Sequence, residues 1–164
     1  MEAIKGFAYY NSDAIAGSSQ RHKHFQAIPY SSLPSNLLFK EIDAHANDGK
    51  FPYYEFKHFI YQFDQEVSLK PEMNLNDVKL FSVKAVEGFY KCKEVLGNIN
   101  SYNIILTKKW MLMVPRKLSD YKGIGINAMG FTGSLFIKKE EESIISDMEP
   151  LEILKSVCYP LDAK

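Results

Sequence analysis

A chain of 164 residues with 46% apolar side chains is long enough to bury a compact core, and its 20 basic and 20 acidic groups cancel to a formal charge of zero. That balance leaves no general field to draw the protein onto nucleic acid or an anionic membrane, so any phosphate chemistry must be local. No apolar run approaches the ~18 residues that cross a bilayer, the first residues show neither a signal-peptide nor a transit pattern, and Cys92 and Cys158 stand apart without metal-ligand spacing, so a cytoplasmic, reducing location is expected.

Phe7 to Asn11 is an aromatic run that predicts a strand, running into the small-residue loop Ala16-Gly17-Ser18-Ser19. Arg21 to Pro29 reads as extended chain, which puts His22, His24 and Gln26 on one face and Lys23, Phe25 and Ala27 on the other. Ser35 to Ala46 carries a helical apolar period that stops at Asn47-Asp48-Gly49. The aromatic stretch Tyr53 to Phe63 predicts a strand. Leu75 to Leu96 predicts a long helix with Asn74 as its N-cap, Gly97 after its end, and Val78, Phe81, Val83, Val86, Phe89 and Tyr90 on its apolar side. Tyr102 to Thr107 and Trp110 to Val114 predict a hairpin around Lys108-Lys109, closed by Pro115. Asn127 to Ile137 should begin as a turn or short helix and finish as a strand. Glu140 to Met148 and Leu151 to Val157 should be two helices separated by Pro150. With no internal repeat, the expected architecture is α+β with a mainly antiparallel sheet and flanking helices.

The segment from Asn11 to Gln26 concentrates the chemistry. Two imidazoles and an amide on one strand face make a short row of polar groups that can hold one phosphoryl group. A neutral imidazole can attack phosphorus and form a phosphoramidate, splitting a difficult transfer into two displacements. The amides and hydroxyls of Gly17-Ser18-Ser19 could turn toward phosphate oxygens. Two other readings of the same residues stand beside this one: surface histidines next to a flexible loop, and a zinc site if further ligands exist. Arg116 could reach a phosphate or make a surface salt bridge. Lys138 to Glu142 reads as a solvated face.

The arrangement NSDAIAGSSQRHKHFQ, from Asn11 to Gln26, resembles the active-site block of the histidine-triad superfamily in its H-x-H-x-Q branch. A second, distant set resembles the C-terminal region of the ATP adenylyltransferases: SYNIILTKKWMLMVPR from Ser101, GIGINAMGFTGSLFIKKEEE from Gly123, and PLEILKSV from Pro150. The resemblance implies a histidine-triad-like fold, with residues 1–70 as the catalytic segment and residues 71–164 as the ATP adenylyltransferase C-terminal region packed with it as one unit. It implies that His24 is the nucleophile, that His22 orients it, that Gln26 binds the transferred phosphoryl group, and that Asn11, Gly17, Ser18 and Ser19 contact the polyphosphate. Two further positions are candidates: Arg21, where the family usually has proline, and His58, where the family tends to have histidine.

The implied activity is phosphorolysis of diadenosine tetraphosphate to ATP and ADP, reversibly, through an adenylyl-histidine. The alternatives are a nucleotide-binding fragment without turnover, or another histidine-triad dinucleotide hydrolase or nucleotide phosphorylase. No covalently bound cofactor is expected, and no metal site in the protein itself; magnesium would accompany the nucleotide. The implied partners are diadenosine polyphosphate, ATP, ADP and inorganic phosphate, with no nucleic acid and no membrane. Family members extend well upstream of the triad, so this chain resembles their C-terminal half, and an incomplete sheet would favour self-association through an open edge.

Overall fold

Strands whose side chains alternate between two apolar cores form an antiparallel sheet in the computed structural model, which describes residues 5–34, 37–63, 74–146 and 148–161. The five strands are β1 (Gly6–Asn11), β2 (Phe25–Pro29), β3 (Phe59–Gln62), β4 (Tyr102–Leu106) and β5 (Trp110–Pro115), in the order β2-β1-β4-β5-β3. Every pair is antiparallel. All six residues of β5 are buried, as a strand covered on both faces requires.

One face of the sheet contributes Phe7, Tyr9, Ile105, Leu112 and Val114 to the larger core, which helix α1 (Phe39–His45) closes with Ile42. The other face contributes Tyr10, Ile104, Met111 and Met113 to a second core beneath helix α2 (Leu75–Leu96). The expected α+β architecture is thus present. The hairpin from Tyr102 to Pro115 is also where the sequence placed it. The first helix, expected from Ser35, begins only at Phe39, with Leu37 and Leu38 ahead of it in non-helical chain; Ser35 itself and the expected boundary between residues 70 and 71 lie outside the described residues.

Helix α2 has the bounds its sequence predicts. Asn74 accepts from the backbone N–H groups of Asn76 and Asp77, while the Asp77 carboxylate accepts from Asn74 N–H, so orphan donors at the helix start are satisfied reciprocally. Its buried side differs from the expectation. Gly88, Cys92 and Leu96 are buried and Phe81 and Phe89 pack beside them, but Val78, Val83, Val86 and Tyr90 face outward. Gly88 sets this rotation, because a Cβ there would lie 2.6 Å from the Tyr61 ring of β3.

Three other segments depart from the sequence reading. Tyr53 to Phe63 pairs as a strand only over Phe59–Gln62. Upstream, Tyr54, Phe56 and His58 are still buried at alternate positions, but their neighbour is the C-terminal segment, with Phe56 bridging Pro160 and Lys57 N–H donating to the Tyr159 carbonyl. Asn127 to Ile137 forms a 3-10 turn over Ala128–Thr132, ended by Gly133, and no strand follows: Leu135 and Ile137 pack on the core while Phe136 faces solvent. The helix expected from Glu140 to Met148 is shorter, a 3-10 turn at Lys139–Glu141 running into α3 (Glu142–Ile145), whereas α4 (Pro150–Val157) starts at its proline as that residue favours. A small hairpin, β6 (Asp120–Tyr121) with β7 (Ile124–Gly125), was not anticipated. Among the described residues no helix is long and apolar enough to cross a membrane.

His58 ties the Phe51 to Phe56 segment together. Its Nε2 accepts from Phe51 N–H at 2.8 Å, and its Nδ1–H donates to the Phe56 carbonyl at 2.8 Å. A proton on Nε2 would set two donors against each other, and burial also holds the ring's pKa below its ordinary 6.5. The unfolded chain therefore binds the extra proton, so this contribution to stability is complete above pH ~6.5 and is lost as pH falls below it. The urea midpoint should decline from about pH 7 to about pH 5, and His58→Gln should flatten that decline.

Candidate functional site

The candidate site lies at the end of the sheet where the end of β1 meets the start of β2. Tyr10 pairs with Phe25 and Tyr9 with Gln26. Phe25 stacks on Tyr10, with ring centroids 4.9 Å apart, which anchors the start of the edge strand on the α2 side. The alternation then points Gln26 to the opposite face, where the Tyr9 hydroxyl donates to its Oε1 at 2.8 Å. His22 and His24 lie in the lead-in to β2, their ring centroids 5.1 Å apart.

The geometry around His24 selects one tautomer. Its Nδ1 is 3.0 Å from the His22 carbonyl, an acceptor that requires N–H on that nitrogen. Nε2 is left with its lone pair. The Gln26 amide nitrogen lies 3.5 Å from it, and Tyr9, by occupying Gln26 Oε1, turns the NH₂ group toward the imidazole. The arrangement presents a nucleophilic nitrogen beside a hydrogen-bond donor that can meet an oxygen on the atom it attacks.

The loop that leads into this row is held tightly. Asp13 Oδ1 accepts from Ala16 N–H at 2.9 Å, and Oδ2 accepts from the Ser101 hydroxyl at 2.6 Å. Gly17 and Ser18 donate their backbone N–H groups to the Ala14 and Asp13 carbonyls, and the Ser18 hydroxyl donates to the Gln20 carbonyl. These donors, expected to be directed at a ligand, are engaged within the loop. Gly17 has φ of 84°, and a Cβ there would lie 2.5 Å from the Ile126 carbonyl oxygen, so glycine is needed for both conformation and space.

Asn11 is buried, and its Oδ1 accepts from Asn103 Nδ2 at 2.7 Å and from Ala128 N–H at 2.9 Å. The same Asn103 nitrogen donates to the Ala16 carbonyl at 2.7 Å, while Asn103 Oδ1 accepts from Arg116 Nη1 at 2.7 Å. Arg116 is neither a surface salt bridge nor a phosphate contact. Its side chain is 1% exposed and donates to the Ile126 and Leu118 carbonyls at 2.9 and 2.8 Å, leaving Nε–H without a hydrogen-bond partner. Burial lowers its pKa from the usual value.

The structure thus brings His22, His24 and Gln26 together, with Asn11 and the Gly17 to Ser19 loop behind them. Arg21 and Ser19 are exposed beside the row. His58 has backbone partners on both nitrogens, at the sheet edge opposite β2. Tyr9 and Asn103 were missed as site residues. Asn103 had a signal, being a polar residue inside the apolar run of β4 and buried to 1% exposure. Among the described residues no three His, Cys, Asp or Glu side chains gather as metal ligands, and burial pushes both cysteine thiols up to about 12.

Comparison with known proteins gives matches at both ends of the chain. A model of the ATP adenylyltransferase C-terminal domain matches residues 52–160, and one of the Ap4A phosphorylase N-terminal domain matches residues 1–40. Diadenosine 5',5'''-P1,P4-tetraphosphate phosphorylase 2 of Saccharomyces cerevisiae is 26% identical over 150 residues, covering 82% of this chain and 45% of the relative. Protein APA1 of the same yeast is 26% identical over 148 residues, covering 81% and 45%. The chain spans about half the length of the curated relatives it matches. In fold it is similar to the yeast Ap4A phosphorylase Apa2 solved with AMP, at a TM-score of 0.64 and 24% identity over 96% of this chain and 57% of the other. The structure of Apa2 with Ap4A gives 0.64 and 22%, over 94% and 55%.

Removing the Asn103 amide leaves Asn11 Oδ1, the Ala16 carbonyl and one Arg116 nitrogen short of a partner. Asn103→Ala should cost about 2–4 kcal/mol of unfolding free energy, measured by urea denaturation.

Proposed function

Because the chain belongs to the ATP adenylyltransferase C-terminal domain family, we propose that it carries out nucleotidyl transfer: reversible phosphorolysis of diadenosine tetraphosphate to ATP and ADP through an adenylyl group on His24. The observation that supports this reading best is the His22 carbonyl holding Nδ1–H of His24, which frees Nε2 to attack. In the first step the Nε2 lone pair forms a bond to an α-phosphorus and the bond from that phosphorus to the leaving ATP oxygen breaks. The imidazole becomes cationic as it is substituted, and the same carbonyl stabilises the positive charge through Nδ1–H. In the second step an oxygen of inorganic phosphate attacks the phosphorus, the P–N bond breaks, its electrons return to Nε2, and ADP leaves.

The Gln26 amide, aimed by Tyr9, donates to a non-bridging oxygen of the group in transit. Asn11 acts from behind, fixing the Gly17 to Ser19 loop as a wall beside the polyphosphate. Arg21, exposed next to His22, is available to the phosphates that leave. Magnesium would accompany the nucleotide, held by its phosphates and water, and would neutralise part of the polyphosphate charge.

A second reading, nucleotide binding without turnover by this chain alone, is favoured by the exposure of Gln26 on an edge strand and of His22 in the segment that leads into it. Among the described residues β2 has no neighbour on its outer side. That edge is the surface we propose for self-association.

Intact mass after incubation with diadenosine tetraphosphate in the absence of phosphate, quenched at alkaline pH, should show one adenylyl adduct on the parent and none on His24→Ala. A folded parent without adduct would support the second reading. Tyr9→Phe should lower kcat roughly fivefold with little change in KM, since it removes one hydrogen bond that orients Gln26 and leaves the ring packing intact; steady-state kinetics with varied dinucleotide separates the two parameters.

A further inference from the structure

A cavity of about 700 Å³ opens at the end of the sheet away from His24. Its lining includes Lys5 at the start of β1, Tyr30 after β2, Phe39 and Lys40 of α1, and Lys108 and Lys109 in the β4–β5 turn. From Tyr10 paired with Phe25 to Gly6 paired with Pro29 is four residues of antiparallel ladder, roughly 13 Å along the strands. The cavity is therefore separate from the reacting row.

Its chemistry is divided. Tyr30 is 43% exposed and stands edge-on to Phe39, with centroids 5.4 Å apart. Phe39 in turn stacks on Trp110 at 6.1 Å. These rings and Leu33 and Leu37 offer an apolar wall of a kind on which a planar group stacks. The rim carries four lysines and one acid. Asp43 is already shared between Lys109 and Trp110 Nε1. Among the described residues Lys5, Lys40 and Lys108 have no carboxylate partner, in a chain whose formal charge is zero. An apolar wall beside unpaired ammonium groups, in a cavity of small-ligand size, fits a ligand with a planar base at one end and several negative charges at the other.

We propose that this cavity binds a nucleoside polyphosphate, with its base against Tyr30 and Phe39 and its phosphates between Lys5, Lys40 and Lys108, independently of the His24 centre. The protein carries its own reporter, because Trp110 is the single tryptophan of the sequence and contacts Phe39, Asp43 and Thr107 of the lining. ATP is titrated into the full chain carrying His24→Ala, with Trp110 fluorescence followed and bound ATP measured by equilibrium dialysis. A saturable change should appear, and adding Lys40→Glu with Lys108→Glu should weaken it about tenfold or more. Adenosine alone and inorganic tripolyphosphate alone should each bind more weakly than ATP. If the charge reversals disturb folding, the pair Lys40→Ala and Lys108→Ala should shift affinity in the same direction by a smaller factor. Unchanged affinity in a folded lysine variant, no saturable ATP signal, or tripolyphosphate binding as tightly as ATP would each overturn the proposal.

Discussion

A guanidinium held out of water is costly, and Arg116, which forms no salt bridge among the described residues, occupies that situation at the point where the sheet meets the Asp13 to Ser18 loop. Its charge is spread over the Asn103 amide and the Ile126 and Leu118 carbonyls. Asn103 passes the constraint on to Asn11 at the end of β1 and to Ala16 in the loop. One buried polar network thus fixes the end of β5, the middle of the sheet, the turn at Ala128 and the approach to His24 relative to one another. Because the network lies within β4 and β1, both covered by cores, the loop inherits the rigidity of the sheet.

That origin explains which parts were legible in the sequence. The grouping of His22, His24 and Gln26 follows from alternate spacing in a segment read as extended, which needs no tertiary information, although only Gln26 stands within β2 and the two histidines precede its first paired residue, Phe25. The bounds of α2 follow from Asn74, Asp77 and Gly97, all local signals. The face that α2 buries depends on Tyr61 approaching Gly88, a contact across the chain, and the apolar count alone found Phe81 and Phe89 but joined to them three valines and a tyrosine that face outward. The stretch before β3 shows the difference between burial and pairing. Tyr54, Phe56 and His58 alternate as a strand would, yet their ladder neighbour is the distant Tyr159 and Pro160 segment, which no local pattern announces.

The site illustrates a similar limit. Gly17 to Ser19 looks like a phosphate cradle by composition, but Gly17 and Ser18 spend their backbone donors on the loop's own turn, and the glycine serves a close backbone approach to Ile126. Asn11, a ligand contact by resemblance, has its Oδ1 engaged in an internal brace. Arg116 follows a proline and reads as surface, whereas the structure buries it. In each case residue type was informative about polarity, and only the fold decided whether that polarity served a ligand or the protein.

The acceptor that orients His24 belongs to the main chain of His22 and not to its ring. The identity of the side chain at position 22 is therefore uncoupled from the tautomer of His24: what must be preserved is the path of the backbone between the two residues. A backbone carbonyl cannot be deleted by substitution, so this part of the device is robust to sequence drift. The imidazole of His22, relieved of that duty, is free to be retained or exchanged according to whatever else meets the exposed edge of the sheet.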